Sequence, residues 1–278
     1  MSKIFDWQLV FTEIPALLKY LPVTLQLTAI ALIIGWVAGL LIAVVKIHNI
    51  PVLRQLCTLF VSVIRGTPII VQLYLTYFGI PIALKYYNYY NGTSYNVNGI
   101  PPIIFAIVAL GLNQSAFDSE TIRAAIQSVE KGQVEAAKAL GMTGFQIFRR
   151  VLFPQAVTVA LPSLGNSLIS LVKGTSLAFT CSVVEITAQG KILAGNSYRY
   201  FEAYCSLAII YWVLTIFIER LFVYIEKRMS VPEMVSAETP YGHTITPDAR
   251  RCGARCKTER ALSKKHGQEQ EKDKDKEV

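Results

Sequence analysis

Charge is what this sequence has least of. Only 17% of its 278 residues are Asp, Glu, Lys or Arg, against about a quarter in a soluble domain. Histidine is scarcer still, with 3 in the chain. No G-x-x-x-x-G-K-[ST] loop is present. Gly190-Lys191 is followed by Ile192, with Glu185 in the place of the first glycine, and Lys173-Gly174-Thr175 has the order reversed. H-E-x-x-H and G-x-S-x-G are absent as well. Nucleotide hydrolysis, zinc-dependent hydrolysis and serine-nucleophile chemistry therefore have no constellation to build on. Of the cysteines, Cys57, Cys181 and Cys205 lie in or near apolar segments and read as small buried hydrophobes. Cys252 and Cys256 form a C-x3-C pair with no second pair to complete a zinc site. The N-terminus reads as lacking a signal peptide.

What the chain does have is apolar length. It is 53% hydrophobic, with a mean hydropathy of +0.40. A membrane span needs about 20 apolar residues, and residues 22–45 supply the first run, ending at Lys46 and His48. Its Gly35 and Gly39 are spaced for close approach by another helix of the same bundle. Residues 52–64 are amphipathic, with Arg54 and Gln55 on the polar side, and predict an elbow helix at the interface. Gly66 breaks it; Thr67 is placed to cap a second span over about 68–84 and Pro68 fits its first turn. The tyrosine-rich stretch 85–100 predicts an outer loop with its rings at the headgroups. A third span starts at Pro101 or Pro102. A fourth covers about 155–172, interrupted by Pro162 and Gly165, and residues 173–191 predict short or re-entrant helices inside the bundle. The last span runs over about 203–225. The fold class is therefore an all-α membrane protein with about five transmembrane helices.

Basic residues set the orientation. Residues 1–229 hold 17 Lys and Arg against 10 Asp and Glu. The excess lies in short loops beside apolar runs, which points to a membrane surface and not to nucleic acid. Lys46 and Arg54, then Arg123, Lys131, Lys138, Arg149 and Arg150, then Arg220, Lys227 and Arg228 fall on one side if there are five spans. That side is the cytoplasm, the N-terminus is outside and the C-terminus is cytoplasmic, in a multi-pass cell-membrane protein. The domains are a short extracytoplasmic segment at 1–20, a membrane domain at 21–229, and a charged tail at 230–278 whose composition predicts disorder.

Polar groups inside the spans are costly in lipid and should face the bundle interior. Gln72 and Thr76 in the second span and Asn113, Gln114 and Ser115 in the third either bond between helices or line a pathway. Lys173, Thr175, Ser176 and Glu185 near the fourth add to the pathway candidates. Lys173 and Glu185 form a structural pair or meet a ligand. Arg65 anchors a helix end at the inner interface.

One polar segment interrupts this pattern: "VEAAKALGMTGFQIFRRVLFPQAV", residues 134–157. Residues 133–140 favour helix, Gly141 is placed as a stop, and Thr143 can cap a second helix over 144–152. Val134, Ala137 and Leu140 or Gly141 share a face by spacing. Such a face either docks a partner or packs on its own bundle.

"EAAKALG" followed by "VLFP" resembles the EAA signature of the permeases of ATP-binding-cassette importers, with Val151 and Phe153 replacing the usual Ile and Leu. "RGTPIIVQLY" (65–74), "AIQSVEKGQVEAAKALGM" (125–142), "LPSLGNSLISLVKGTSLA" (161–178) and "VVEI" (183–186) are similar to the polar-amino-acid branch of that family. The likeness covers roughly residues 15–228 and implies a MetI-like permease bundle. It implies that Glu135, Ala136, Ala137 and Gly141 belong to a cytoplasmic coupling helix held in a groove of a separate ATPase. It further implies that ATP and magnesium are bound by that ATPase, with no cofactor in this chain. An extracytoplasmic binding protein would deliver a polar amino acid or a related compound such as cystine. A second permease, identical or related, would complete the pathway. The competing reading is a stand-alone secondary transporter or channel. It would favour inverted repeats, and the coupling segment occurs once.

Overall fold

The structure, a computed structural model, describes residues 5–229, and these are helical with short connections. The helices are α1 (Trp7–Leu18), α2 (Leu21–Ile47), α3 (Pro51–Gly66), α4 (Ile69–Asn91), α5 (Pro102–Gln127), α6 (Lys131–Ala139), α7 (Gly144–Ile147), α8 (Phe153–Gly174), α9 (Ile186–Ser197) and α10 (Tyr200–Met229). A π-helical turn, Phe148–Leu152, joins α7 to α8, and a 3-10 segment, Thr175–Cys181, follows α8. Among the described residues, 5 helical runs are long and apolar enough to cross a membrane: α2, α4, α5, the run Gly144–Cys181 and α10. The tail 230–278, with Cys252 and Cys256, lies outside the described residues.

The seam between α2 and α5 organises the bundle. A Cβ on Gly35 would stand 2.5 Å from Gln114 Cγ, and one on Gly39 would stand 3.1 Å from the backbone nitrogen of Ser119. The G-x-x-x-G spacing thus works inside the chain, letting the α5 backbone close on α2. Ala125 of α5 and Ala156 and Ala160 of α8 do the same for a second seam. A core of Leu27, Leu73, Phe105, Ala109 and Cys181 ties α2, α4 and α5 to the 3-10 segment. Cys57, Cys181 and Cys205 are free thiols.

Within the N-terminal segment, α1 packs on α10, where Ser206 Oγ donates to the Val10 carbonyl at 2.8 Å. Three local expectations need correction. The tyrosine-rich stretch is not all loop. α4 continues to Asn91 and stops at Gly92, whose φ of 64° makes a left-handed cap. Asn88 then ties down the turn, its Oδ1 accepting from Thr93 Oγ1 at 2.9 Å and from Tyr95 N at 3.2 Å. Thr67 does not cap α4, whose N-cap is Pro68; its hydroxyl donates back to Val63 O at 2.9 Å and so closes α3. Finally, Pro162 and Gly165 do not interrupt α8. Gly165 is needed for packing, because a Cβ there would lie 2.7 Å from the Phe222 ring of α10.

Glu13 of α1 carries the most testable electrostatic strain. It is buried, and its Oε2 has no hydrogen-bond partner. Burial raises its pKa above the ordinary value, and the nearby Glu202 carboxylate raises it further. Glu202 itself is engaged by Arg199 at 3.0 Å. A raised carboxyl pKa contributes stability that is fully present below the unfolded value of about 4.5 and is lost as pH rises through the folded value. Glu13→Gln should therefore raise the melting temperature in detergent at pH 7–8, with the gain shrinking towards pH 4.5. A variant no more stable than the parent at neutral pH would contradict this.

Candidate functional site

The segment after α5 is a helix–turn–helix closed by two complementary caps. At the end of α6, Gly141 adopts φ 76°. Gly141 N donates to Lys138 O at 2.9 Å and Met142 N to Ala137 O at 3.2 Å, a Schellman closure. One residue on, Thr143 and Gln146 form a capping box. Thr143 N donates to Gln146 Oε1 at 2.8 Å, and Gln146 N donates to Thr143 Oγ1 at 3.4 Å. Gln155 of α8 reaches back to Gln133 of α6. Phe153 N–H bonds to Phe148 O, five residues back, in the π turn just before Pro154, which has no N–H. The segment is thus joined to α8 through continuous helical backbone.

The faces of α6 sort differently from the sequence expectation. Val134 is half-buried and Ala137 buried against the chain itself. Leu140, expected on their face, sits at the C-cap and is 83% exposed; Phe145 beside it is 72% exposed. Glu135, Ala136, Ala139 and Gly141 are exposed too. So Glu135, Ala136 and Gly141 of the motif face outward, and Ala137 faces inward. The open surface carries the charged Glu135 and Lys138 among the small Ala136, Ala139 and Gly141, with the large apolar Leu140 and Phe145 exposed at the turn. Nothing within the described chain covers it.

The pathway candidates divide into two groups. Several are committed within the protein. Gln72 is buried, its Nε2 donating to Ile64 O at 2.7 Å and to Thr67 Oγ1 at 2.8 Å, so it braces the turn between α3 and α4. Its Oε1 accepts from Asn113 Nδ2 at 3.0 Å. Gln114 is buried and donates to Asp118 Oδ2 at 2.9 Å and Ser167 Oγ at 2.6 Å. Ser115 and Thr175 are buried and donate to backbone carbonyls of their own turns, Leu112 and Val172. Glu185 is buried as the N-cap of α9, accepting from Thr187 N at 2.9 Å and Ala188 N at 2.8 Å, with Tyr211 OH at 3.3 Å. It does not pair with Lys173, which is exposed and has no hydrogen bond or ion pair among the described residues.

The others keep access. Asn113, Thr76 and Ser176 are half-buried. Thr76 donates to Leu73 O at 2.9 Å and Phe105 O at 3.3 Å, leaving its lone pairs free to accept. Sequence reading missed Asp118 and Ser167, which join α5 to α8 where Ser167 Oγ donates to Asp118 Oδ1 at 2.7 Å. The signal was there, since Asp118 stands four residues after Gln114 and so shares its face of α5. It missed Tyr211 as well.

Residues 31–231 match the family model described as "Binding-protein-dependent transport system inner membrane component". The chain is 41% identical over 227 residues to the probable amino-acid permease protein YxeN of Bacillus subtilis (strain 168), covering 82% of this chain and 97% of that one. It is 38% identical over 229 residues to the L-cystine transport system permease protein TcyL of the same organism, covering 82% and 93%. Among solved structures, an amino acid ABC transporter crystallised with histidines has a chain that superposes with a TM-score of 0.68 at 36% identity, covering 81% of this chain and 99% of that one. These matches leave no room for the stand-alone transporter reading. The chain belongs to the binding-protein-dependent inner membrane components, the permease subunits of ATP-binding-cassette importers.

Proposed function

We propose that this permease moves a polar amino acid, or a related compound such as cystine, into the cytoplasm by alternating access. A separate ATPase grips α6, and an extracytoplasmic binding protein supplies the solute. The observation that carries this reading is the doubly capped α6–α7 turn, with Leu140 and Phe145 exposed and the turn held on α8. A rigid helix with an uncovered apolar tip transmits displacement, and movement between two discrete packings is how such bundles switch. The named relatives transport or are assigned amino acids, cystine among them, which supports the substrate class. The cytoplasmic side of α6 follows from the basic residues near it. Since the chain carries one coupling helix, two permease chains, identical or related, would enclose the pathway. ATP and magnesium would be bound by the ATPase.

Within the bundle, the groups still able to meet a zwitterion are Asn113, Thr76, Ser176 and Lys173. Lys173 supplies the positive charge for a carboxylate, while Gln72, Gln114, Ser115, Thr175 and Glu185 hold the walls in place. The test is reconstitution in vesicles with the ATPase and binding protein, followed by competition of labelled solute uptake by a panel of amino acids. ATP-dependent uptake, inhibited by one polar amino acid or cystine, is expected. Uptake by the permease alone, without ATP, would overturn the proposal. So would labelling of a cysteine placed at Ala136 by an impermeant reagent added outside the cell.

A further inference from the structure

α2 ends at Ile47, Asn49 turns the chain at φ 53°, and α3 leaves at Pro51. This turn and the last turns of α5 line an open polar groove of about 400 Å³ at the end of the bundle that carries α6. Its donors are Lys46, Asn49, Arg54, Thr58, Arg123 and Gln127. Three of these side chains are cationic, and Glu120 is the single anion on the wall. Glu120 lies between two of the cations, binding Lys46 and, at 2.7 Å, Arg123 Nη2. Gln127 steadies Arg123 from the other side, accepting from Nη1 at 2.8 Å. Arg54 is exposed, and its guanidinium has no hydrogen bond or ion pair among the described residues. The wall therefore carries a surplus of two positive charges, with two cations fixed in position and one still to be satisfied.

A second cavity of about 670 Å³ shares Asn49, Arg54 and Thr58 and continues along the polar face of α3 to Ser62. The adjoining flank of α3 is apolar and open, beginning at Leu59 on the rim of that cavity. Val52 is 67% exposed, Leu56 58% and Leu59 62%. A cationic notch beside an apolar strip, on a helix lying at the end of a membrane bundle, matches a ligand with an anionic head and hydrocarbon tails.

We propose that this notch binds the headgroup phosphate of an anionic phospholipid, with Arg54 and Arg123 as its direct ligands and the acyl chains laid along α3. The apolar strip is what favours a lipid over free phosphate. Each basic residue near such a surface contributes enough to change affinity about fivefold, and guanidinium pairs well with phosphate. The site is independent of which solute the importer carries.

The test uses the full chain, in complex with its ATPase, in lipid-depleted micelles. Binding of dioleoyl phosphatidylglycerol, dioleoyl phosphatidylcholine and inorganic phosphate is followed by native mass spectrometry. Phosphatidylglycerol should bind at least about fivefold more tightly than phosphatidylcholine. Arg54→Gln, an exposed substitution that leaves the Glu120 pairs intact, should remove most of that preference, and Arg123→Gln should do the same. Lys85→Gln, at the far end of α4, should not. Equal retention of the two lipids, or an unchanged preference in Arg54→Gln, would overturn the site. Displacement of phosphatidylglycerol by millimolar inorganic phosphate would also overturn it, in favour of a soluble-anion site.

Discussion

Leu140→Asp is expected to release the ATPase while leaving the permease folded. Leu140 is 83% exposed, so the substitution removes almost no packing from the free bundle. In a complex the same side chain would be covered, and a carboxylate there would be desolvated without a partner. Truncating a central apolar anchor of an interface costs about 2–4 kcal/mol, which is roughly a 30- to 1000-fold loss of affinity. Copurification of the ATPase should fall to background, and uptake in vesicles should fall with it. The melting temperature of the permease alone should stay within about 1 °C of the parent, as for a surface change that costs little. Ala137→Asp is the informative contrast. Ala137 is 4% exposed, so the charge would be forced into the chain's own packing and both measurements should drop. If Leu140→Asp retained the ATPase at the parent level, the exposed tip would not be the handle.

The division between Leu140 and Ala137 also marks where sequence reading stops. Helical periodicity is local, and it correctly put a short helix, a glycine stop and a threonine cap in this segment. Which side of α6 faces inward depends on how the π turn Phe148–Leu152 comes back against it, and no spacing rule encodes that return. The long apolar runs were readable for the same local reason, because lipid demands length. The end of α4 and the unbroken course of α8 were not, since glycine and proline have more than one use. Gly92 terminates a helix through positive φ, whereas Gly165 lies inside α8, where the Phe222 ring occupies the space a side chain would need. The candidate polar residues were identified by cost, as groups that lipid will not tolerate. Cost says that each needs a partner without naming it. Gln72 found backbone at a turn, Glu185 found the N-terminus of α9, and Lys173 found nothing within the described chain.

Asp118→Ala should produce the largest loss of stability among single substitutions in the membrane seam. Asp118 is fully buried, and its two oxygens accept from Gln114 Nε2 at 2.9 Å and Ser167 Oγ at 2.7 Å. Without the carboxylate, one amide hydrogen of buried Gln114 and the hydroxyl of half-buried Ser167 lose their acceptor. An unsatisfied buried donor costs about 1–3 kcal/mol. Interhelical bonds in membranes measure nearer 0.6 kcal/mol on average, because the unfolded chain also finds partners there. Two donors together with the space left behind place the loss at roughly 2–4 kcal/mol. Asp118→Asn should fall between alanine and the parent, since its NH2 takes the place of one acceptor oxygen and sets a donor against a donor. Detergent titration to unfolding measures the loss directly. Gly35→Ala approaches the same network from α2, because a Cβ there would meet Gln114 Cγ at 2.5 Å and push the amide off its partners. The two substitutions damage one arrangement, so the double variant should lose less stability than the two single losses added together. Strict additivity, or an Asp118→Ala protein as stable as the parent, would mean that Gln114, Asp118 and Ser167 do not act as the lock between α5 and α8. It would also remove the contacts through which a displacement of α6, if α8 carries it as proposed, would reach the α2–α5 seam.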